Sequence, residues 1–259
     1  MAESAILKRI DEKQNIINQF RPLDQQQVKN LKDYFKIGLT FSSNALEGNT
    51  LTESETKVVL EDGITIGGKP LRDHLDAVGH GRAFDYLWTL AKSSDIAESD
   101  IQELHRLCFQ PKDGIKAGHY RTVDVLISGS AHNDLLPRFQ DVPDRMAAFV
   151  ASLPQLRVRL HPVEYAAVLH QLFVQIHPFE DGNGRVARLL MNHALLRTGY
   201  PPIIISPAFK HAYIAALELG WTDNQLFIDY IAEQELQAQR EYINLLKLSK
   251  GSNTGGITP

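Results

Sequence analysis

The sequence predicts an all-α protein with one small β-hairpin, and three observations support this fold class. Most of the 259 residues lie in segments whose apolar side chains recur every three to four positions, the spacing of a helix with one buried face. One stretch, residues 118–127, is instead rich in β-branched residues. The composition is 43% hydrophobic, and the length suits one large domain with a sizeable core.

The first hundred residues are predicted to form helices only. Thr52 and Glu55 have the spacing of a capping box, in which each side chain bonds the other residue's backbone N–H and so opens a helix. Gly48 ends a short polar helix because glycine readily leaves the helical conformation. The predicted helices in this half are 5–20, 25–39, 43–49, 52–61, 71–91 and 99–109.

The predicted hairpin occupies residues 118–138, a segment called the flap below. A strand over 118–127 leads into a turn at 128–134 and a return through Leu135 and Leu136. A lone hairpin has an unpaired edge. It either covers the core as a structural ribbon or offers that edge to a target peptide, which adds as another strand.

The second half is again helical, and it ends in a segment rich in Gly, Ser and Thr that is predicted to be disordered. The predicted helices are 141–153, 162–176, 185–197, one around 209–217, and 223–248. The chain therefore divides into a helical N-terminal scaffold at 1–42, a main domain at 43–248 and a tail at 249–259.

Charge and composition narrow the function classes. The net charge is −4 and the pI about 6.2, and no block of Lys or Arg stands out, which argues against broad nucleic-acid binding and favours protein partners. The single cysteine, Cys108, cannot form an internal disulfide. No apolar run approaches the length of a membrane span, and the N-terminus lacks the form of a signal peptide, so we predict a cytoplasmic protein.

Residues 177–188, His-Pro-Phe-Glu-Asp-Gly-Asn-Gly-Arg-Val-Ala-Arg, concentrate more chemistry than the rest of the chain. An amphipathic helix precedes them and another begins within them. Pro178 disfavours helical backbone at the residue before it, and Gly182 and Gly184 permit backbone angles that other residues avoid. The stretch is therefore predicted to be a charged loop between two core helices.

A glycine-rich loop at a helix N-terminus favours an anion, since unpaired N–H groups and the helix dipole point at it. Arg185 and Arg188 share one helix face and can grip phosphate oxygens. Asp181 supplies one carboxylate, which suits Mg²⁺ because this ion completes its coordination with phosphate and water. His177 titrates near neutrality and can take the proton of an attacking hydroxyl.

Each of these residues also has an ordinary structural explanation. A lone His is usually a hydrogen-bonded core residue, Asp181 can cap a helix, and arginines on amphipathic helices usually face water. Together they are hard to explain structurally, because no fold requires a His, an Asp, an Asn, two glycines and two arginines in one short loop. A nucleotide P-loop is excluded by the missing Gly-Lys-Ser/Thr ending, and a dinucleotide fold by the missing third glycine and preceding strand. A zinc site is not indicated, although His170 and His177 can share a helix face.

The whole stretch resembles the His-Pro-Phe-x-Asp-Gly-Asn-Gly-Arg-x-x-Arg signature of the Fic-domain family. The resemblance implies an all-helical Fic fold and a Mg²⁺-dependent enzyme that transfers AMP from ATP to a Ser, Thr or Tyr hydroxyl of a protein. It also implies roles for the loop. His177 looks like the general base and Asp181 the Mg²⁺ ligand. The residues that look like the phosphate site are Gly182, Asn183, Gly184, Arg185 and Arg188, with Phe179 as a structural anchor.

A second resemblance concerns Ser43-x-x-x-Glu47-Gly48. Position alone makes Glu47 a solvated surface residue, at a helix end whose dipole disfavours a carboxylate. The spacing is nevertheless similar to the inhibitory Ser/Thr-x-x-x-Glu-Gly/Asn motif that precedes some Fic domains. It implies that Glu47 pairs with Arg188, with Ser43 beside them, and blocks the place of the γ-phosphate.

The resemblance further implies that the flap clamps a protein target, possibly another copy of this chain, beside His177. It assigns the flap turn and two later aromatic residues to the nucleotide site: Ser128, Gly129, Ser130, Tyr213 and Trp221. Ile214 and Trp221 depart from many relatives and are expected to reshape the adenine pocket. Two other functions stay open: removal of AMP from a modified protein by Glu47, and a non-catalytic regulatory binding protein.

Overall fold

The computed structural model describes residues 4–92, 95–109 and 116–251. Ten α-helices lie in these parts of the chain. They are α1 Ala5–Asn18, α2 Gln25–Leu46, α3 Glu53–Glu61, α4 Leu71–Leu90, α5 Glu98–Phe109, α6 Val142–Arg159, α7 Pro162–Ile176, α8 Asn183–Arg197, α9 Lys210–Leu219 and α10 Asn224–Gly251. No helix in the described residues is long and apolar enough to cross a membrane.

The core is centred on α7 and α8, which pack against each other. Leu169 and Phe173 of α7 and Leu190 of α8 are fully buried in the largest apolar cluster. Burial of each such side chain contributes about 1.5–3 kcal/mol. Helix α10 covers α7 and α1, whereas α4 contacts α2, α5 and α8. The loop between α7 and α8 is therefore held at both ends by the most deeply buried elements of the molecule.

Helix α2 is longer than predicted. The sequence predicts a break after residue 39 and a separate short helix at 43–49, but α2 runs without interruption to Leu46. The helix contains no proline, its one glycine, Gly38, does not have a positive φ, and its first turn is fixed by a capping box at Asp24. Glu47 is the C-cap and Gly48 follows with a φ of 91°. The carboxylate thus projects from the end of a long, well-anchored helix.

The prediction of a β-hairpin is wrong, because the described residues contain no strand and the flap is an irregular loop with short 3₁₀ turns. Side chains form hydrogen bonds with backbone groups that would pair with each other in a hairpin. The Asn133 amide accepts from the N–H of Ile127 and donates to its carbonyl, at 2.6 and 3.0 Å. Arg121 donates to the carbonyls of Val123 and Pro137. The flap keeps a defined shape without a partner strand.

The remaining helix boundaries either match the prediction or extend a few residues beyond it. The capping box at Thr52 and the bounds of α7 are confirmed. Helix α6 continues to Arg159, past its predicted end at 153, even though Pro154 lies inside it and lacks an N–H donor. Helix α10 continues to Gly251, three residues beyond its predicted end. The rest of the predicted tail, residues 252–259, lies outside the described residues.

Candidate active site

His177 ends α7 in a left-handed backbone conformation, with φ 50° and ψ 58°. For a residue other than glycine such a conformation costs of order 1–3 kcal/mol, and it persists only where the surroundings impose it. Two hydrogen bonds from Arg121 impose it here. The Arg121 Nε donates to the His177 carbonyl at 2.9 Å, and the Arg121 backbone N–H donates to the Pro178 carbonyl at 2.9 Å. The flap therefore fixes the backbone of the candidate base.

The imidazole of His177 lies partly buried at the edge of the site. Burial lowers its pKa to about 4, and the nearby Val174 carbonyl opposes this shift without cancelling it. A neutral imidazole at pH 7 has a lone pair free to accept a proton. His177 thus has the protonation state that a general base requires.

Phe179 anchors the loop, as the sequence predicts, because its ring is fully buried and stacks on His105 at 3.8 Å between centroids. Asn183 shapes the loop in a way that the sequence did not indicate. Its amide accepts from the Phe179 N–H at 2.9 Å and donates to the Phe179 carbonyl at 2.8 Å. The Asn183 oxygen and one of its two side-chain N–H groups are thus bonded within the loop itself.

Of the two glycines of the loop, Gly182 is required by space and by its backbone angle, whereas Gly184 is crowded only by the flexible ends of the Glu47 and Arg188 side chains. Gly182, the N-cap of α8, has φ 82°, and a Cβ there would lie 2.1 Å from the Phe109 ring. A Cβ on Gly184 would lie 2.8 Å from a carboxylate oxygen of Glu47. The first intrahelical bond of α8 is the one from the Val186 N–H to the Gly182 carbonyl. The N–H groups of the first turn before it point outward, which makes this turn an anion site.

Asp181 lies beside that turn with a half-exposed side chain. One carboxylate oxygen accepts from the Gly182 N–H at 2.6 Å, and the other lies 3.6 Å from the Arg185 guanidinium. No group of three or more metal-binding side chains occurs in the described residues. A single accessible carboxylate at an anion site fits Mg²⁺, which takes most of its ligands from phosphate and water.

Arg185 is buried and only partly paired, since its Nε has no hydrogen-bond partner among the described residues, and its role as a phosphate clamp stays a prediction. Its guanidinium donates to Asp76 of α4 at 2.9 Å and lies 4.2 Å from the centre of the Phe109 ring. Sequence reasoning missed Asp76. The hydrophobic period of α4 does not distinguish a buried acid from an exposed one, although an Asp inside a core-facing helix is a signal that a partner is needed.

Arg188 is buried as well, and it joins α8 to the end of α2. Its Nε donates to the Ser43 hydroxyl at 2.9 Å and its Nη2 to the Ser43 carbonyl at 3.0 Å. The same Nη2 donates to Glu47 at 2.6 Å. Burial raises the pKa of Glu47, but the charge and hydrogen bond of Arg188 outweigh burial and hold it below its ordinary value. Glu47 is therefore ionised at neutral pH.

The residues predicted for the nucleotide pocket lie in different surroundings in the structure. Tyr213 is 1% exposed, and its hydroxyl shares a hydrogen bond of 2.9 Å with the His170 ring. The centre of its own ring lies 5.9 Å from the Arg188 guanidinium. The Ser130 hydroxyl donates to Glu218 of α9 at 3.1 Å. Trp221 stacks on the flap residue His132 at 5.5 Å between centroids.

The rest of the flap turn lies at its tip. Gly129 has φ 81° there, beside Ser128. A cavity of about 530 Å³ opens on the other side of the flap, between Pro137, Ile176 and Trp221. The flap tip thus rests on α9 and the turn after it, with a cavity beside the end of α7.

Two further residues that hold the loop were not identified as functional from the sequence. Arg121 fell in the predicted strand, where its burial was not expected, and His105 fell in the predicted helix 99–109, where a surface or helix-packing position was the simplest expectation. His105 accepts from the Gly118 N–H at 2.8 Å and bonds the Asp181 carbonyl at 3.0 Å. A charged or polar residue within an apolar pattern was the available signal in both cases.

Comparison with known proteins gives a consistent result. The profile of the Fic/DOC family matches residues 95–195. The chain is 34% identical over 238 residues to a protein adenylyltransferase Fic of Nematostella vectensis, covering 89% of this chain and 54% of that protein. It is 33% identical to protein adenylyltransferase fic-1 of Caenorhabditis elegans, covering 83% and 43%. The chain thus spans about half the length of these curated relatives.

Solved structures extend the similarity to the whole fold. A Fic domain containing signaling protein from Bacteroides thetaiotaomicron superimposes with a TM-score of 0.82 at 30% identity, covering 94% of this chain and 97% of that one. A fragment of Fic-1 from C. elegans gives the same TM-score at 29% identity, covering 94% and 73%. The likeness therefore includes the helices around the loop as well as the motif itself.

Proposed function

The chain belongs to the Fic/DOC family, and we propose that it transfers AMP from ATP to a hydroxyl side chain of a protein. The observation that carries the proposal is the meeting of three features in one loop: a neutral His177, an accessible Asp181 carboxylate and the unpaired amides at the start of α8. Relatives of which the chain covers about half are named protein adenylyltransferases, which supports the same reaction.

In this reaction the oxygen of the target hydroxyl bonds to the α-phosphorus while the bond from phosphorus to the bridging oxygen breaks and pyrophosphate leaves. His177 accepts the hydroxyl proton as the oxygen attacks. The first turn of α8 binds phosphate oxygens through its N–H groups and the helix dipole. Asp181 would hold Mg²⁺, which neutralises phosphate charge when bound. The reaction needs no group that the described residues and MgATP do not supply.

We further propose that the protein inhibits itself through Glu47. Its carboxylate lies over Gly184, at the anion site, and occupies the Arg188 guanidinium. A phosphate that needs Arg188 must compete with a carboxylate already bonded to it. ATP that binds without this contact is expected to place its α-phosphate out of line for attack, and misplacement by about 1 Å can cost about 100-fold in rate.

A second function deserves a test because of the same carboxylate. Glu47 is ionised, and its side chain is 41% exposed at the site where an AMP-modified residue would enter. An ionised carboxylate in that place can orient a water molecule and take its proton, which would remove AMP from a modified protein. The two activities are thus expected to respond in opposite directions to Glu47→Gly: the rate of AMP transfer rises, and AMP removal is lost.

The flap is the proposed docking place for the protein target. Residues 124–126 lie outside any helix or turn, and within the described residues their backbone groups make no backbone–backbone hydrogen bond to another segment. The side chains of Val123 and Leu126 are exposed. An extended target segment can therefore pair with this edge and bring its hydroxyl to His177, which lies at the base of the flap.

The experiment is incubation of the purified protein with ATP labelled at its α-phosphate, with Mg²⁺, alone and with cell lysate. Three proteins are compared: wild type, Glu47→Gly, and Glu47→Gly with His177→Ala. Label transferred to protein by the Glu47→Gly form, and lost in the double variant, supports AMP transfer. Absence of label in all three, with MgATP binding intact, would instead indicate the non-catalytic regulatory protein.

A further inference from the structure

We infer that Arg121 and His105 couple the flap to the catalytic loop, so that the position of the flap sets the geometry of His177 and Asp181. Both are positioning residues in this account, since neither is placed to touch a substrate. The consequence for catalysis rests on the proposed function. The coupling itself is a property of the fold and can be measured without any reaction.

Arg121 distributes its guanidinium over two segments. Its side chain is fully buried, and Nε donates to the His177 carbonyl at 2.9 Å. The two terminal nitrogens donate to the carbonyls of Val123 and Pro137, at 3.0 and 2.5 Å. These carbonyls lie on the outgoing and returning limbs of the flap. One side chain therefore ties both limbs of the flap to the backbone of the candidate base.

The burial of this arginine argues that the arrangement is specific. A buried guanidinium is unfavourable unless its donors are satisfied, and a fork of several donors is needed to reach three carbonyls at once. The nearest carboxylate in contact, that of Asp124, is half-exposed and 3.6 Å away. Neutral carbonyls, not a strong ion pair, thus account for most of its contacts. A lysine could keep the charge but could not keep the geometry.

His105 makes an analogous link from the other side. Its Nδ1 accepts from the N–H of Gly118, the first residue of the flap, so the ring proton belongs on Nε2 and is donated to the Asp181 carbonyl. The ring lies between Phe179 and Phe109, with centroid distances of 3.8 and 4.7 Å. Stacking on both faces leaves the imidazole little freedom to turn.

The Arg121 and His105 links connect the same two segments, the catalytic loop and the flap. The backbone carbonyl of the candidate base and that of the candidate metal ligand are each bonded to a buried side chain that also bonds the flap. A shift of the flap must either break these bonds or move His177 and Asp181 with it. Docking of a target on the flap is therefore expected to order the base and the metal ligand together.

The first test uses Arg121→Lys in a Glu47→Gly background, with Arg138→Lys as the matched variant, because Arg138 is an exposed flap arginine that contacts Asp124 and not the loop. Amide hydrogen exchange is measured across residues 116–138 and 177–184. We expect Arg121→Lys to speed exchange about tenfold in both segments. Arg138→Lys should leave exchange at 177–184 unchanged.

Kinetics give the second readout. Relative to the Arg138→Lys protein, Arg121→Lys should lower kcat for AMP transfer by about 100-fold while the KM for ATP changes by less than about threefold, since geometry and not phosphate binding is lost. A purely structural role would instead lower the thermal midpoint and leave kcat of the folded fraction near normal.

Two substitutions of His105 separate its ends. Gln can keep a donor near the position of Nε2, and Asn can keep an acceptor near the position of Nδ1. We expect His105→Gln to loosen the start of the flap and His105→Asn to loosen the loop around Asp181, each by hydrogen exchange. These variants also decide the question if Arg121→Lys does not fold.

The coupling is overturned if the folded Arg121→Lys protein shows the exchange pattern and kcat of the Arg138→Lys protein, or if both His105 variants leave the two segments unchanged. Absence of AMP transfer in every protein, the Glu47→Gly form included, would refute the proposed function. It would leave the exchange experiment to decide the coupling.

Discussion

The catalytic loop and the flap lie against each other, yet they are held by different means. The loop is bounded by two core helices, and its contacts with Phe179 and the start of α8 are made within a few residues. The flap has no strand in the described residues and depends on side chains such as Arg121 and Asn133 for its shape. The loop thus combines local bonds with two ties to the flap, through Arg121 and His105, whereas the shape of the flap depends almost entirely on side-chain bonds.

The largest expected effect falls on the loop. His177→Ala should lower AMP transfer by about 10²–10⁴-fold, because it removes proton transfer. Affinity for MgATP should change little, since the imidazole makes no phosphate contact. The measurement is single-turnover transfer in a Glu47→Gly background, with MgATP binding followed separately.

Ala also loses a residue that tolerates the left-handed backbone at this position, so His177→Asn is the matched variant. It should be as inactive as the Ala form but closer to wild type in stability. A transfer rate in either variant equal to that of the parent protein would contradict the assignment of the base.

Asp181→Ala should have the next largest effect, a fall in transfer rate of about 100-fold or more, equivalent to about 2.7 kcal/mol or more of lost charge stabilisation through Mg²⁺. The neighbouring Glu180 is exposed and provides the control, since Glu180→Ala changes charge by the same amount beside the site. Titration of Mg²⁺ against transfer rate distinguishes the two. An Asp181→Ala enzyme with an unchanged Mg²⁺ optimum would place the metal elsewhere.

Glu47→Gly should raise transfer by roughly 10–100-fold, because it frees Arg188 and the space over Gly184. Stability should change by no more than about 0.5–3 kcal/mol. Glu61 offers a matched control: it also ends a helix, α3, and is half-exposed, but it pairs with Lys57 away from the site. Transfer that is equal in wild type and Glu47→Gly, over a range of ATP and Mg²⁺, would make Glu47 a surface residue without an inhibitory role.

The same contrast explains what could be predicted from the sequence. The place of the loop between two core helices was predicted because helix ends, glycines and a proline are local signals, and the structure confirms Phe179 as its anchor. The resemblance carried by residues 177–188 supplied the roles. The flap was predicted as a hairpin from its β-branched residues, and this was wrong. Arg121 and Asn133 form the hydrogen bonds to its backbone, and the spacing of apolar residues in the sequence carries no information about such contacts. Asp76 and His105 escaped for the same reason, since each acts across a long stretch of sequence.

In the flap, Asn133→Ala should remove three side-chain bonds to the backbone of Ile127 and Ser130. Each typical hydrogen bond contributes about 0.5–1.5 kcal/mol, but the flap is partly exposed and water can replace them. We expect a few-fold loss of transfer and faster exchange at the flap tip, with little change at the loop. Asp134→Ala, an exposed neighbour, is the control. Faster exchange at 177–184 as well would mean that the tip and the base of the flap are not independent.

The smallest expected effect is the change of kcat/KM with pH. It tests whether His177 is buried in the loop, in contrast to the exposed side chains of the flap. An ordinary His, with a pKa near 6.5, would be only about 3% neutral at pH 5. Burial lowers the pKa of His177 to about 4, so roughly nine-tenths of it should still be neutral there. Between pH 7 and pH 5 the loss of the free base should therefore reduce kcat/KM by less than about twofold, provided that transfer is measured in the Glu47→Gly protein. A fall of about 25-fold over this interval, the value for a pKa near 6.5, with the fold intact by circular dichroism, would show that His177 is hydrated and that the helices around it do not exclude water.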